Sequence, residues 1–292
     1  MQRTLDPAQI EAFATQRVIP RVRLPDPATV FSHRAERLRE LSEDHALGDY
    51  LRLMAMVADA QQDALTTLIT RPTDWQAVLF TLCDTIAAAP GFPAAVAATC
   101  QRIQESDPDE LEEQADLLLT ATSQGADTPN VDTRTAPFMM AALQVQWVQR
   151  VCALSLDGLA EHLGSTATPG VCPACGSLPV ASIVRADKAY QDYRYLHCAL
   201  CATEWHLVRV KCSNCQSTAG IHYHSIEGGA PAVRAESCDG CKTYRKICYQ
   251  EHDIHVEPLA DDLGSVALDL LMSEEGFRRS SGNPLLWQAT ET

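Results

Sequence analysis

The sequence predicts an α+β chain: an all-helical N-terminal domain, two small tandem metal-binding lobes and a C-terminal helix. Three observations predict it. Apolar residues recur at helical spacing through the first half of the chain. Eight of the twelve cysteines then fall in four C-x-x-C pairs between Cys172 and Cys241. Beyond Glu251 the helical spacing returns. The 292 residues suffice for roughly two domains, and a hydrophobic fraction of 46% argues for packed cores over disorder.

In chain order, Asp49–Thr70 carries Tyr50, Met54, Val57, Ala60, Ala64, Leu65 and Leu68 on one stripe. Asp107-Pro108-Asp109-Glu110 reads as a helix start, with a capping aspartate, a proline in the first turn and acids at the positive end of the dipole. From Asp132 to Leu163, Phe138, Leu143, Val145, Trp147, Val148, Leu154 and Leu159 mark a further helix, and Gly164 stops it. Pro72, Pro90, Pro93 and Pro129 punctuate these segments into five or six helices. After Thr166–Gly170 the pattern changes to short strands at Tyr193–His197, Glu204–Val210, Ile221–Ile226 and Tyr244–Tyr249. Pro258–Glu275 is again helical, with Gly276 after it, and packs back on the body. The expected division is 1–168 for the helical domain, 169–210 and 211–252 for the two lobes, and 253–292 for the last helix and tail.

The cysteine pairs form a repeat. Cys172, Cys175, Cys198 and Cys201 recur 40 residues later as Cys212, Cys215, Cys238 and Cys241, both copies reading C-x2-C-x22-C-x2-C. Ser177 matches Ser217, Arg194 matches Arg234 and Thr203 matches Thr243. A C-x-x-C turn aims two thiolates at one ion, and two such knuckles brought together by strands complete a tetrahedron. Clustered cysteines in a reduced compartment hold metal more often than they form disulfides; redox disulfides and idle thiols are the alternatives. A copied unit should carry its whole site, so each repeat is expected to close on its own four cysteines. The other pairing joins the two middle pairs on one ion. Such a lobe is expected to depend on its metal, and Cys175→Ser to loosen it with much less effect on the helices.

Four thiolates suit zinc or a single iron, and spacing does not separate them. Val171-Cys172-Pro173-Ala174-Cys175-Gly176 resembles the rubredoxin knuckle, whereas the second unit has Gln216 where the first has Gly176. From Gly170 to Gln250 there are nine Lys/Arg against six Asp/Glu, a local excess in a chain of net charge −15. These bases either tune the sites or are ordinary solvated charges. His197, His206, His222 and His224 lie near the cysteines, but four thiolates already fill each site, so strand packing or solvent is the better reading. Cys83, Cys100, Cys152 and Cys248 read as small core residues. The runs Glu110–Glu113 and Asp261-Asp262 read as helix faces. No Ser/His/Asp elbow, phosphate-cradling glycine loop or H-E-x-x-H is present, so nothing nominates a catalytic acid or base.

The acidic balance argues against a nucleic-acid or membrane-surface partner. The long uncharged run Thr85–Gln101 is broken by Pro90, Gly91 and Pro93, so no membrane insertion is expected. Met1–Arg23 has Leu5-Asp6-Pro7 where a secretory signal needs an apolar core, which makes the cytoplasm the expected location.

Taken together, three stretches resemble the formate dehydrogenase accessory protein family (FdhE). They are Cys172–Ser177, Arg194–Cys198 and Glu204–Cys215. Ala235–Cys238, Asp261-Asp262-Leu263 and the tail Glu275–Leu285 share the likeness, which is specific from about residue 170 to 286. The resemblance implies a non-catalytic cytoplasmic maturation factor, a chaperone with rubredoxin-like or zinc-ribbon-like lobes. It assists the catalytic subunit of respiratory formate dehydrogenase before export. The family's cysteine pairs fall on Cys172, Cys175, Cys198, Cys201, Cys212, Cys215, Cys238 and Cys241, and the resemblance favours iron over zinc as the two metal ions. Two other readings are a rubredoxin-like one-electron carrier acting during client maturation and a nucleic-acid-binding zinc ribbon. If the chain holds a client, the expected contact surface lies beside the lobes, where strand edges, Tyr190, Tyr193, Tyr195, Trp205 and Tyr223 and the local excess of bases coincide; the alternative is that these rings fill small cores.

Overall fold

The computed structural model describes residues 20–68, 74–125, 131–155, 170–186 and 192–287. Pro72, Pro129, Tyr190 and the junction around Thr166–Pro169 lie outside the described residues. The architecture is the predicted α+β one. Among the described residues the first half holds six helices: α1 (Val30–Leu41), α2 (Gly48–Leu68), α3 (Trp75–Ala88), α4 (Ala94–Glu105), α5 (Pro108–Gln124) and α6 (Ala136–Cys152). Asp107 caps α5 as expected, accepting from Asp109 N at 2.8 Å, and Gly125 ends it at φ 65°. The helix expected from Asp132 to Leu163 stops earlier, at Cys152, where Ala153 N turns back to Arg150 O; Leu159 and Gly164 lie outside the described residues. Helix α6 is apolar on nearly every side and is buried accordingly, as the central helix of the bundle.

One mixed sheet follows. Its strands are β1 (Val22–Arg23), β2 (Pro179–Val184), β3 (Arg194–Cys198), β4 (Glu204–His206), β5 (Ile221–His224), β6 (Val233–Cys238), β7 (Thr243–Tyr249) and β8 (Arg278–Arg279). Their order is β1-β4-β3-β2-β7-β6-β5, with β8 also on β7. The 40-residue repeat is visible in this order: each copy is an antiparallel triplet, β4-β3-β2 or β7-β6-β5. The triplets join head to tail where β2 runs parallel to β7, with Ile183 opposite Cys248. The equivalent strands differ in length for that reason. β7 is central and extends to Tyr249, whereas β4 is covered only by the two-residue β1 and stops at His206. Val208 is consequently 61% exposed, while Cys248, 40 residues on, is fully buried.

Two helices stand in place of the single one expected over Pro258–Glu275. They are α7 (Pro258–Gly264) and α8 (Val266–Glu274), broken at Ser265, whose hydroxyl bonds back to Asp261 O. Asp261 and Asp262 are not a solvated helix face: both are buried. Asp261 takes Arg37 of α1 in a two-pronged pair at 2.7 and 3.0 Å. Asp262 faces Lys246 and Arg279, and Asn283 donates to it at 2.8 Å. The tail motif is therefore a set of ionic ties that fasten α7 to α1, to β7 and to the last strand. Buried charges of this kind are tolerated only when paired.

The hydrophobic core is continuous from the helices into the first triplet. It runs from α1–α6 through Val180, Ala181, Leu196 and Trp205 to the sulfurs of Cys172, Cys198 and Cys201. Gln144 of α6 ties the two together, donating to Ala199 O at 2.8 Å inside the second knuckle. The sequence reading, which sets the lobes apart from the helices, does not anticipate this shared core. No helix among the described residues is long and apolar enough to cross a membrane.

Candidate metal centres

Each knuckle is a tight turn whose residue after the second cysteine has positive φ: Gly176 at 80°, Ala202 at 56°, Gln216 at 66° and Lys242 at 54°. The turn lets that residue's N–H, in Gly176, Gln216 and Lys242, bond back to the carbonyl of the first cysteine. Only Gly176 takes this conformation without steric cost. Gln216 bears the cost, and its Oε1 is also buried without a hydrogen-bond partner in the structure. Gln216→Gly is therefore expected to raise stability by about 1 kcal/mol, read as a higher urea midpoint at unchanged slope.

The structure assembles two four-sulfur clusters, Cys172/Cys175/Cys198/Cys201 and Cys212/Cys215/Cys238/Cys241, each with all sulfurs within 4.8 Å of one another. The repeat thus closes on itself, and the two middle pairs do not combine. Sulfurs about 2.3 Å from one ion stand about 3.8 Å apart along tetrahedral edges. The closest pairs fit that spacing: Cys172–Cys201 at 3.6 Å and Cys175–Cys198 at 3.3 Å in the first cluster, Cys212–Cys241 at 3.7 Å and Cys215–Cys238 at 3.6 Å in the second.

The surroundings are those of thiolates. Leu200 N and Cys201 N point at Cys198 Sγ at 3.4 Å, and Asn214 N and Cys215 N point at Cys212 Sγ at 3.4 Å. The repeated threonines have the same task in both copies. Thr203 Oγ1 lies 3.2 Å from Cys201 Sγ, and Thr243 Oγ1 lies 3.1 Å from Cys241 Sγ. Burial pushes the metal-free thiols of Cys172 and Cys198 up, and that of Cys212 to about 12. Burial also acts to raise Cys241, but the bonds from Thr243 hold it down at about 6. Four converging sulfurs, two of them this reluctant to ionise alone, suit a bound dication that compensates their charge. Either cluster has the donor set to hold a metal ion.

The two clusters are not equally covered. In the first, Cys172, Cys198 and Cys201 are buried and belong to the main core. In the second, Cys215 is exposed and Cys241 partly so.

The histidines stand apart from the sulfurs, as expected. His197 is buried on Glu204, whose carboxyl is held far below its usual range: burial acts to raise it, but Arg185, His197 and Arg23 outweigh that. His206 packs edge-on against Tyr193 and Tyr195, His222 pairs with Asp239, and His224 bonds Ser237. Cys83, Cys100 and Cys248 are buried, and Cys152 is half-buried. Of the candidate contact aromatics, Tyr195 and Trp205 are fully buried and fill the space on the two faces of the sheet; among the described residues Tyr193 is half-buried and Tyr223 is exposed. Part of the local excess of bases is internal. Arg194, Arg245 and Lys246 lie inside. Two of them brace the second cluster's first knuckle, Arg194 on Lys211 O at 3.1 Å and Arg245 on Ser213 Oγ at 2.9 Å. Sequence reasoning missed these bracing arginines, since buried and solvated bases look alike in composition.

Comparison with known proteins places this arrangement. Models of the FdhE N-terminal, central and C-terminal domains match residues 19–70 and 66–164, 171–209 and 210–286 respectively. Protein FdhE of Salmonella paratyphi A is 40% identical over 298 residues, spanning 94% of this chain and 93% of the relative. The FdhE homolog of Cronobacter sakazakii matches to the same extent, 40% over 94% of this chain and 93% of its own. The crystal structure of the FdhE protein from Pseudomonas aeruginosa superposes with a TM-score of 0.76 at 34% identity, covering 92% of this chain and all of that one. With its three segments matched in order and its sulfur clusters formed, the chain belongs to the FdhE family.

Proposed function

We propose that the chain is a formate dehydrogenase accessory protein. In this reading it works in the cytoplasm, binds the catalytic subunit of a respiratory formate dehydrogenase, and assists its assembly without itself catalysing a reaction. The eight cysteines ligate two metal ions, one per repeat, with iron favoured and zinc the alternative. The observation that carries the reading is the pair of four-sulfur clusters, formed within a chain that matches the family over residues 19–164 and 171–286. The ions would supply cross-links that hold each pair of knuckles in place. The chain's own residues then present the fixed surface: backbone N–H groups and threonine hydroxyls hold the sulfurs, and Arg194 and Arg245 set the knuckle of the second repeat against the sheet.

The test is genetic. A strain lacking the gene should lose formate dehydrogenase activity and regain it with the wild-type chain, and the wild-type chain should capture the catalytic subunit in a pull-down. Full dehydrogenase activity without the gene would refute the reading. The one-electron-carrier alternative is favoured by one observation, the exposure of Cys215. It requires a visible spectrum that bleaches reversibly on reduction, which a zinc-filled chain does not have.

A further inference from the structure

The two copies of the repeat have the same sulfurs but different lids. In the first, the residue before the last cysteine is Leu200, which is 2% exposed and packed into the main core. Its partner 40 residues later is Gly240, which is exposed. A Cβ built at Gly240 would stand 3.6 Å from Cys238 Sγ and 4.0 Å from Cys215 Sγ, in ordinary contact with both. The second cluster thus has no side chain at the position where the first repeat carries a buried leucine. The rest of the surround agrees. Ala199 of the first copy receives Gln144 from the central helix, whereas its counterpart Asp239 is on the surface, paired with His222 and Lys242. None of the second cluster's sulfurs belongs to a hydrophobic cluster among the described residues.

We propose that the repeats have divided their labour: the first cluster is a closed structural centre, and the second is an exchange centre open to thiols and chelating ligands. Cys215 is the ligand that yields. An incoming thiol takes its position on the ion and passes its proton to the Cys215 sulfur, so that one metal–sulfur bond forms as one breaks and no electron moves. In the first cluster the same approach is blocked by Leu200 and by the helices behind it. This proposal rests on the reading that both clusters hold metal.

The experiment follows metal release from the zinc-loaded full-length chain into excess 4-(2-pyridylazo)resorcinol. Two ions per chain should leave in two phases of equal size, the first at least about tenfold faster. Gly240→Leu, which copies the first repeat's lid at a φ outside the left-handed region, should slow the fast phase about tenfold and leave the slow one unchanged. Cys215→Ser should abolish the fast phase. Iodoacetamide on the loaded native chain should label Cys215 before any other cluster cysteine, which keeps the test independent of how Gly240→Leu folds. Release of both ions in one phase, a fast phase that persists in Cys215→Ser, or first labelling at Cys175 would overturn the proposal. A chain that retains fewer than two zinc ions at the outset would instead overturn the underlying metal reading.

Discussion

Cys198→Ser is expected to destabilise the whole molecule, helices included, by several kcal/mol, a large share of the roughly 5–15 kcal/mol that holds a domain folded. Cys198 is fully buried, and its sulfur shares one hydrophobic core with α1–α6. Without a complete ligand set the first pair of knuckles loses its cross-link, and Ala199 can no longer be held beneath Gln144 of the central helix. Helical circular dichroism and metal content should therefore fall together in urea, at a midpoint well below that of the native chain. Cys215→Ser, at an exposed ligand outside the core, should cost less than half as much and leave the helical transition in place. Equal losses for the two variants would show that the clusters contribute alike.

Asp262→Ala should cost about 3–5 kcal/mol, the range for breaking a buried ion pair from one side. The carboxylate is fully buried between Lys246 and Arg279, and Lys246 has no exposed side-chain surface. Removing it leaves Lys246 on Asp269 at 2.7 Å and the residue-262 carbonyl alone, and takes from Asn283 one of its two acceptors, the other being Leu259 O. The same group sets an acid limb. Burial acts to raise the Asp262 carboxyl, but Arg279 and Lys246 bring it below its usual value, and Glu204 is likewise held down by Arg185, His197 and Arg23. A carboxyl depressed on folding contributes stability that is complete above the unfolded value near 4 and is lost as the pH falls through the folded one. Asp261 works in the other direction, since burial outweighs Arg37 and raises it. Asp132, Asp239 and Asp253 are also held down, so depressed carboxyls outnumber the raised one, and the native chain should lose stability from about pH 5 downward. Asp262→Ala should show a shallower loss, measured as urea midpoints between pH 7 and 3.

Much of this was legible in the chain because the signals were periodic or repeated. The stripe from Tyr50 to Leu68 gave α2, and Asp107-Pro108 gave the start of α5. The displacement of four cysteines by 40 residues gave two sites with their correct partners. What escaped was decided by long-range pairing. β2 and β6 carry Ala, Ser and Glu among their apolar residues, so neither alternates cleanly, and only their place inside the sheet makes them strands. The parallel join of β2 to β7 has no local mark at all. Asp261 and Asp262 follow a proline at a helix start, a setting in which acids ordinarily face water; their burial depends on Arg37 and Arg279, both distant in the chain. For Tyr195 and Trp205 the sequence leaves interface and core-filling both open, and it is the sheet that puts them in the core on its faces.

The most direct test of the account is metal stoichiometry together with metal-edge X-ray absorption on the full-length chain and on Cys215→Ser. The account predicts two ions per native chain, each with four sulfurs at about 2.3 Å, and in Cys215→Ser one remaining ion that keeps its full four-sulfur shell. A single ion per native chain, or a Cys215→Ser chain whose remaining ion has lost a sulfur, would contradict it.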